Sequence, residues 1–262
     1  MKRGPAVFVA HGAPSLALES DRFTEALGRF GREHQNPQAI VVVSAHWQAR
    51  PPVRITAAAR PSILYDFGGF PEALYRLEYP CSGDPDLARE IVELLSRAGF
   101  EAMLDPGRGL DHGVWVPLRF MYPRADRPVV QVSLPLGSDP SGLLCLGAAL
   151  SALRDRGVLL LGTGGVVHNL RRVRMDQKDS PVDSWAAEFD SWVGARLQRR
   201  DVEALTAYRA QGPRADLAVP ESEHLDPLFV VLGAARSKDR VVSVYEGFQH
   251  GNLSMRSVAY ED

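Results

Sequence analysis

An α/β three-layer sandwich, with a mainly parallel (mixed) central sheet and helices on both faces, is the fold this sequence predicts. Three observations carry that expectation. Apolar runs rich in Val, Ile and Leu recur without polar interruption, as strands buried on both faces require. Between them lie stretches with helical spacing and marked ends. The two kinds of segment alternate along the chain, which places helices on both sides of the sheet.

The first run, Ala6 to Ala10, breaks at His11-Gly12-Ala13-Pro14, and Phe23, Leu27 and Phe30 then mark one face of a helix. A second strand is expected over Ala39 to Ser44. The segment from Pro51 to Pro85 is rich in Pro, Gly and aromatics without periodicity, and is too long for an idle connection, so it reads as a loop covering a site. Asp84 to Ala98 is the clearest helix: Asp at the N-cap, Pro85 at the first turn, Leu87, Ile91, Leu94 and Leu95 on one face, and Gly99 at the exit. A third strand is expected over Pro128 to Leu134. Ser138 to Arg156 reads as a helix with Leu143, Leu146, Leu150 and Leu153 inward, stopping at Gly157 before a fourth strand, Val158 to Gly162. Trp185, Phe189 and Trp192 form an aromatic stripe, read as helix core rather than a cofactor box. Arg240 to Tyr245 is a fifth buried strand, and LSMRSVAY adds an edge strand.

The 262 residues suffice for a hydrophobic core without staples, and one domain spanning 1–262 is expected. With 30 basic and 32 acidic residues, no polyanionic partner is implied; Arg171, Arg172 and Arg174 read as a solvated loop rather than a nucleic-acid patch. No run is long enough to span a membrane, and the apolar stretch before His11 is too short for a signal segment. Cys81 and Cys145 form no CxxC pair, read as inert fillers, and point to a reducing cytoplasm. The expected product is a soluble cytoplasmic protein, monomeric or weakly self-associating.

Histidines punctuate the strand ends. His11 follows the first run and His46 the second, and in open α/β sheets the carboxyl ends of strands are where ligands bind. If those two strands are neighbours, the two imidazoles meet and make half of a metal site. A third ligand could come from His224 in PESEHLDPL or from the adjacent Glu221 or Glu223, and spacing leaves that choice open. His168 follows the fourth strand after Gly162 to Gly165; that turn lacks the Lys and Ser/Thr of a P-loop, and Val167 stands where a dinucleotide fingerprint needs Gly. His112, beside Asp111 and Gly113, reads as exposed at a loop end, whereas His34 and His250 read as surface residues. There is no GxSxG elbow and no HExxH, so the histidines are the chemistry: metal ligands plus groups that exchange protons near neutral pH.

HGAPS at 11–15, IVVVSAHW at 40–47, YDFGGFP and LYRLEYP within 65–80, LDHGVWVPL at 110–118, GVVHNL at 165–170, SEHLDPL at 222–228 and GNLSMRSV at 251–258 together resemble the class III extradiol ring-cleaving dioxygenases, specifically the DOPA 4,5-dioxygenase-like branch. The resemblance runs nearly end to end. It implies that His11, His46 and His224 bind the metal, that His168 is the catalytic acid/base, and that His112 contacts substrate or dioxygen. It also implies Fe(II) for turnover, with Zn(II) an alternative occupant of three imidazoles, and a catechol and O2 as substrates. The third ligand departs from the two-histidine, one-glutamate set of the wider superfamily. Tyr65 and Phe67 are expected to wall the substrate site, against a reading of Phe67 and Phe70 as a hydrophobic plug. Two rivals remain: a zinc hydrolase, which would act without dioxygen, and a metal-binding member of the fold without turnover.

Overall fold

The computed structural model describes residues 3–262; Met1 and Lys2, which begin the segment weighed as a signal, lie outside it. Its strands are β1 (Ala6–Ala10), β2 (Ile40–Ala49), β3 (Val53–Thr56), β4 (Ala102–Asp105), β5 (Val129–Pro135), β6 (Leu159–Gly164), β7 (Arg240–Tyr245), β8 (Phe248–Gln249), β9 (Leu253–Ser254) and β10 (Ser257–Glu261). The helices are α1 (Arg22–Glu33), α2 (Pro85–Arg97), α3 (His112–Met121), α4 (Pro140–Leu150), α5 (Ser184–Arg199), α6 (Val202–Thr206), α7 (Tyr208–Gln211), α8 (Ala215–Ala218) and α9 (Asp226–Ala234). Eight strands form one sheet in the order β4-β3-β5-β2-β6-β1-β10-β7, and β8 pairs with β9 in a separate ribbon.

The centre of the sheet is parallel, β5-β2-β6-β1; β1, β5 and β6 are each followed by helix, and β2 by the short β3 before α2 returns the chain. Both flanks contain antiparallel pairings, β3 with β5 on one side and β10 with β1 and β7 on the other. Alternate residues of the central strands enter opposite cores. Ala6, Phe8, Val41 and Val43 join α2, α4, α5 and α9, whereas Val7, Val9, Ile40 and Val42 join α1 and α3. Burial on both faces explains why these strands carry no polar alternation, and the three layers follow directly.

Caps close the helices where their sequences announce them. The Asp84 side chain accepts from the Leu87 amide, and Asp21 and Thr24 form a reciprocal capping box at α1.

Several expectations need correction. LSMRSVAY does not edge the sheet: β10 is inserted between β1 and β7, and the half-exposed β7, read as doubly buried, is the edge. The helix expected over Ser138 to Arg156 begins after an Asp139 cap and tightens into a narrower 3-10 turn at Ser151–Arg156, still aiming Leu153 inward. The Pro51–Pro85 segment contains β3, and β4 was not anticipated; both strands are four residues long with exposed positions, so no apolar run announces them. Cys81 is buried as a filler, its thiol pushed up to about 11 by burial, but Cys145 is exposed. Arg171 and Arg172 are exposed as expected, whereas Arg174 donates to Pro181 O and Asp183. His34 and His250 are not surface residues. His34 stacks on Phe30 and bonds Glu261, and His250 is buried with Nδ1–H donating to Arg174 O.

Candidate metal centre

β1 and β2 are not neighbours, contrary to the condition placed on their histidines; β6 runs between them. The site forms because of what β6 lacks. It ends in glycine, and a Cβ on Gly164 would lie 2.0 Å from the carbonyl oxygen of His224. The backbone of the 222–226 turn therefore rests directly on the strand end, where Gly165 N donates to His224 O at 2.7 Å and His11 N to Gly164 O at 3.2 Å. His11 arrives from one side of β6, His46 from the other, and His224 from above. The GTGG turn is thus a seat for a histidine rather than a phosphate cradle.

His46 is inside β2, not beyond it: a register shift between Val43 and Gln48 bulges the strand and re-aims its side chains. On the other side Gly12, at φ +65°, turns the chain immediately after His11 into a conformation that side-chain-bearing residues disfavour.

The Nε2 atoms of His11 and His46 lie 3.0 Å apart, and the ring centroid of His224 stands 5.2 and 5.1 Å from theirs. Candidate ligand atoms from the three side chains all fall within 4.8 Å of one another. His224 Nδ1–H donates to Glu223 at 3.1 Å, which leaves its Nε2 as a lone pair, buried and without a hydrogen-bond partner. Metal–nitrogen bonds of about 2.0–2.1 Å bring ligand atoms to roughly 3 Å from one another, so the set fits a divalent ion. Burial and the neighbouring imidazoles drive His11 and His224 well below the ordinary histidine value, and burial with the charge of His112 takes His46 to about 4. All three are neutral at pH 7, as ligands must be.

Two further histidines complete the cluster. His168 stacks on His224 at 3.5 Å between centroids, its rings 8° from parallel, and its amide is held by Ala218 O. Burial, and then the His224 charge, depress it well below its usual value. His112 lies 4.1 Å from His46 and is buried in the first turn of α3, not exposed at a loop end as its flanks suggest. The acyclic candidates separate: Glu223 serves His224 from behind, while Glu221 points to solvent near Arg171. Phe67 meets His112 edge-on at 5.7 Å. Tyr65 stands behind it, 6.2 Å from Phe67, with its hydroxyl donating to Leu77 O. Phe67 and Phe70 also pack on the core, as the plug reading expects, and Phe67 is shared with the expected wall.

Two supporting carboxylates escaped the sequence reading. Asp111 is fully buried and accepts from Ser44 Oγ at 2.7 Å and Gln131 Nε2 at 2.5 Å, joining β2, β5 and α3 beneath the histidines. Asp66 bonds His112. Only the acidic residue inside YDFGGFP and the one before His112 hinted at either.

The sequence profile described as the catalytic LigB subunit of aromatic ring-opening dioxygenase matches residues 5–255. This chain belongs to that family. The dioxygenase is 41% identical to 4,5-DOPA dioxygenase extradiol of Escherichia coli (strain K12), over 98% of this chain and 94% of the relative. It is 36% identical to the Beta vulgaris protein of the same name, over 97% and 95%. Its fold matches the crystal structure of an uncharacterized protein from Escherichia coli K12 with a TM-score of 0.82 at 38% identity, covering 98% and 99% of the two chains. Relatives and fold place the enzyme among metal-dependent ring-opening dioxygenases of the extradiol class.

Proposed function

We propose that this dioxygenase opens the ring of a DOPA-like catechol, with His11, His46 and His224 holding Fe(II), His168 as acid/base and His112 as the second polar contact to substrate or dioxygen. The observation that carries the ligand assignment is the buried, unpartnered Nε2 of His224 facing the Nε2 atoms of His11 and His46. The names of the relatives at 41% and 36% identity support the DOPA-like substrate.

Bound ferrous iron supplies the redox chemistry and a positive charge that favours a catecholate. The chain supplies the rest. Three neutral imidazoles leave that charge undiminished, and they come from one side, which keeps the opposite side open to substrate. His168, on the His224 flank, has a free-base ring at neutral pH and takes the proton as a catechol hydroxyl ionises. His112, on the His46 flank, offers a second polar group. Phe67 closes the aromatic side and excludes water from the ring. Zinc fits the same imidazoles but has no second oxidation state, so a zinc-filled sample is inactive toward catechols under this reading.

No helix among the described residues is long and apolar enough to cross a membrane. The separated free thiols of Cys81 and Cys145 support a reducing cytoplasm, and the 5–255 match supports one catalytic domain.

The test is anaerobic loading of apoprotein with Fe(II), addition of DOPA, and admission of oxygen. Stoichiometric oxygen uptake with a coloured ring-opened product is expected. Absence of uptake with every catechol tried, or ester hydrolysis by the zinc form without oxygen, would remove the proposal.

A further inference from the structure

We infer that Asp66 is a positioning residue: reaching in from the 62–80 loop, its carboxylate fixes His112 as the Nδ1–H tautomer, so that the Nε2 lone pair is presented to the reaction site. This rests on the dioxygenase reading and concerns a residue to which that reading gives no role.

The geometry is two bonds to one oxygen. His112 donates from its backbone N at 3.0 Å and from its ring Nδ1 at 2.9 Å, both to Asp66 Oδ1. A carboxylate only accepts, so the ring nitrogen facing it carries the proton. In the neutral ring the second nitrogen is then an acceptor, on a ring that lies 4.1 Å from His46 and 5.4 Å from His11. Burial would raise the Asp66 carboxyl, but the two hydrogen bonds from His112 outweigh it and keep it an ionised acceptor.

Asp66 also takes over a duty that α3 cannot meet for itself. Asp111 stands at the N-cap, but its side chain caps nothing in the helix because it is committed to Ser44 and Gln131. The first amide of α3 is satisfied instead from another segment. An aspartate at a helix N-terminus is favoured there by the helix dipole as well.

The loop does not depend on Asp66 for its own position. Trp115 Nε1 donates to Leu64 O at 3.0 Å, Leu64 N to Leu110 O at 2.7 Å, and Leu110 N to Ser62 O at 2.8 Å. The Tyr65 hydroxyl is anchored on Leu77 O. These bonds hold the segment 62–65 against Leu110 and α3 immediately before the carboxylate's point of attachment, so Asp66 can be replaced without breaking them. Phe67 follows directly and packs against His112. One short segment thus supplies both the wall of the site and the clamp on its histidine.

A rival use of the same side chain is a metal site shared by His46, Asp66 and His112, whose ligand atoms also converge. Metal content separates the two uses, since removing a ligating carboxylate would lower it.

The experiment compares wild type, Asp66→Ala, Asp66→Asn, His112→Ala and the double variant Asp66→Ala/His112→Ala. On zinc-loaded protein, 15N NMR of the imidazoles reads the tautomer, and metal analysis reads zinc content. On Fe(II)-loaded protein, oxygen uptake with DOPA reads kcat and KM. Expected are the Nδ1–H form of His112 in wild type and its loss in Asp66→Ala, with zinc content unchanged. The kcat should fall about 10- to 100-fold, as loss of a supporting carboxylate typically costs, with KM moving less than about 3-fold. In the His112→Ala background, removing Asp66 should cost less than about 2-fold more, because the two act as one unit. Asp66→Asn keeps an accepting oxygen and should fall between; it also serves if the alanine variant does not fold. An unchanged His112 tautomer, an undiminished loss in the His112→Ala background, or reduced zinc content would each overturn the inference. Absence of oxygen uptake by wild type would instead sink the dioxygenase reading, and the tautomer would still decide the role of Asp66.

Discussion

At the scale of single residues, the chemistry depends on imidazoles that remain unprotonated and are held from behind. Glu223 accepts a hydrogen bond from the Nδ1–H of His224, and Asp66 one from that of His112, so in the neutral rings the inward nitrogen carries the lone pair. His168 has a different partnership: it lies flat on His224 rather than pointing at the ligand atoms. His168→Ala should therefore keep the metal while lowering turnover by about 100- to 10,000-fold, the usual worth of an acid/base group. Metal analysis and oxygen uptake on the same sample check this, and parallel loss of metal would assign His168 to the ligand set. The residue types at these positions were legible because an imidazole after an apolar strand is an unusual use of a polar ring. Their supporting carboxylates were not. Asp66 precedes His112 by 46 positions, and only folding places it within hydrogen-bond distance.

At the scale of elements, the decisive piece is β6, which runs between the strands that carry His11 and His46 and ends in the glycine on which the His224 turn rests. Gly164→Ala would force that turn off the strand by more than an ångström, since the new methyl would overlap the His224 backbone carbonyl and not a flexible side-chain tip. We expect metal affinity to fall at least 10-fold, together with about 1–3 kcal/mol of stability from overpacking, read by metal titration and by denaturant unfolding. Retained affinity would show that His224 reaches the centre by another route. The glycine run was visible in the sequence, but its purpose was not. The same letters serve phosphate binding when a helix N-terminus follows, whereas here a second backbone follows.

At the scale of the whole molecule, the layers are joined by a buried ion pair distant from the histidines. Arg154, fully buried, donates to Gly4 O, Ala234 O, Tyr260 O and Asp239, tying the start of β1, the end of α9 and β10 to the 3-10 turn that carries it. Arg154→Leu should destabilise the fold by about 3–5 kcal/mol, because it removes the close guanidinium partner of the buried Asp239 carboxylate and leaves only the Arg236 amide and the more distant Arg3 beside it. The pH dependence has a definite sign. Burial would raise Asp239, but the Arg154 guanidinium and the Arg236 amide outweigh it and hold it below the usual carboxylate range. Its contribution is thus present above the unfolded value of about 4 and declines as pH falls through the lower folded value. In the variant burial is opposed only by the Arg236 amide and Arg3, so the stability gap should be widest near pH 7 and narrow toward pH 4. Thermal unfolding across that range measures it, and a constant gap would show that Asp239 finds another partner.

Local patterns by themselves determined the layered fold and marked the histidines that follow its apolar strands. Doubly buried strands must be continuously apolar, helix ends must satisfy their free amides, and a polar ring at a strand end must have some purpose; each of these constraints acts over a few residues. Tertiary structure alone decided the order of the strands, the place of β10 inside the sheet, the burial of His112, and the carboxylates that fix the rings. Those outcomes depend on which distant segments touch, and spacing along a chain carries no record of that until the backbone has closed around β6.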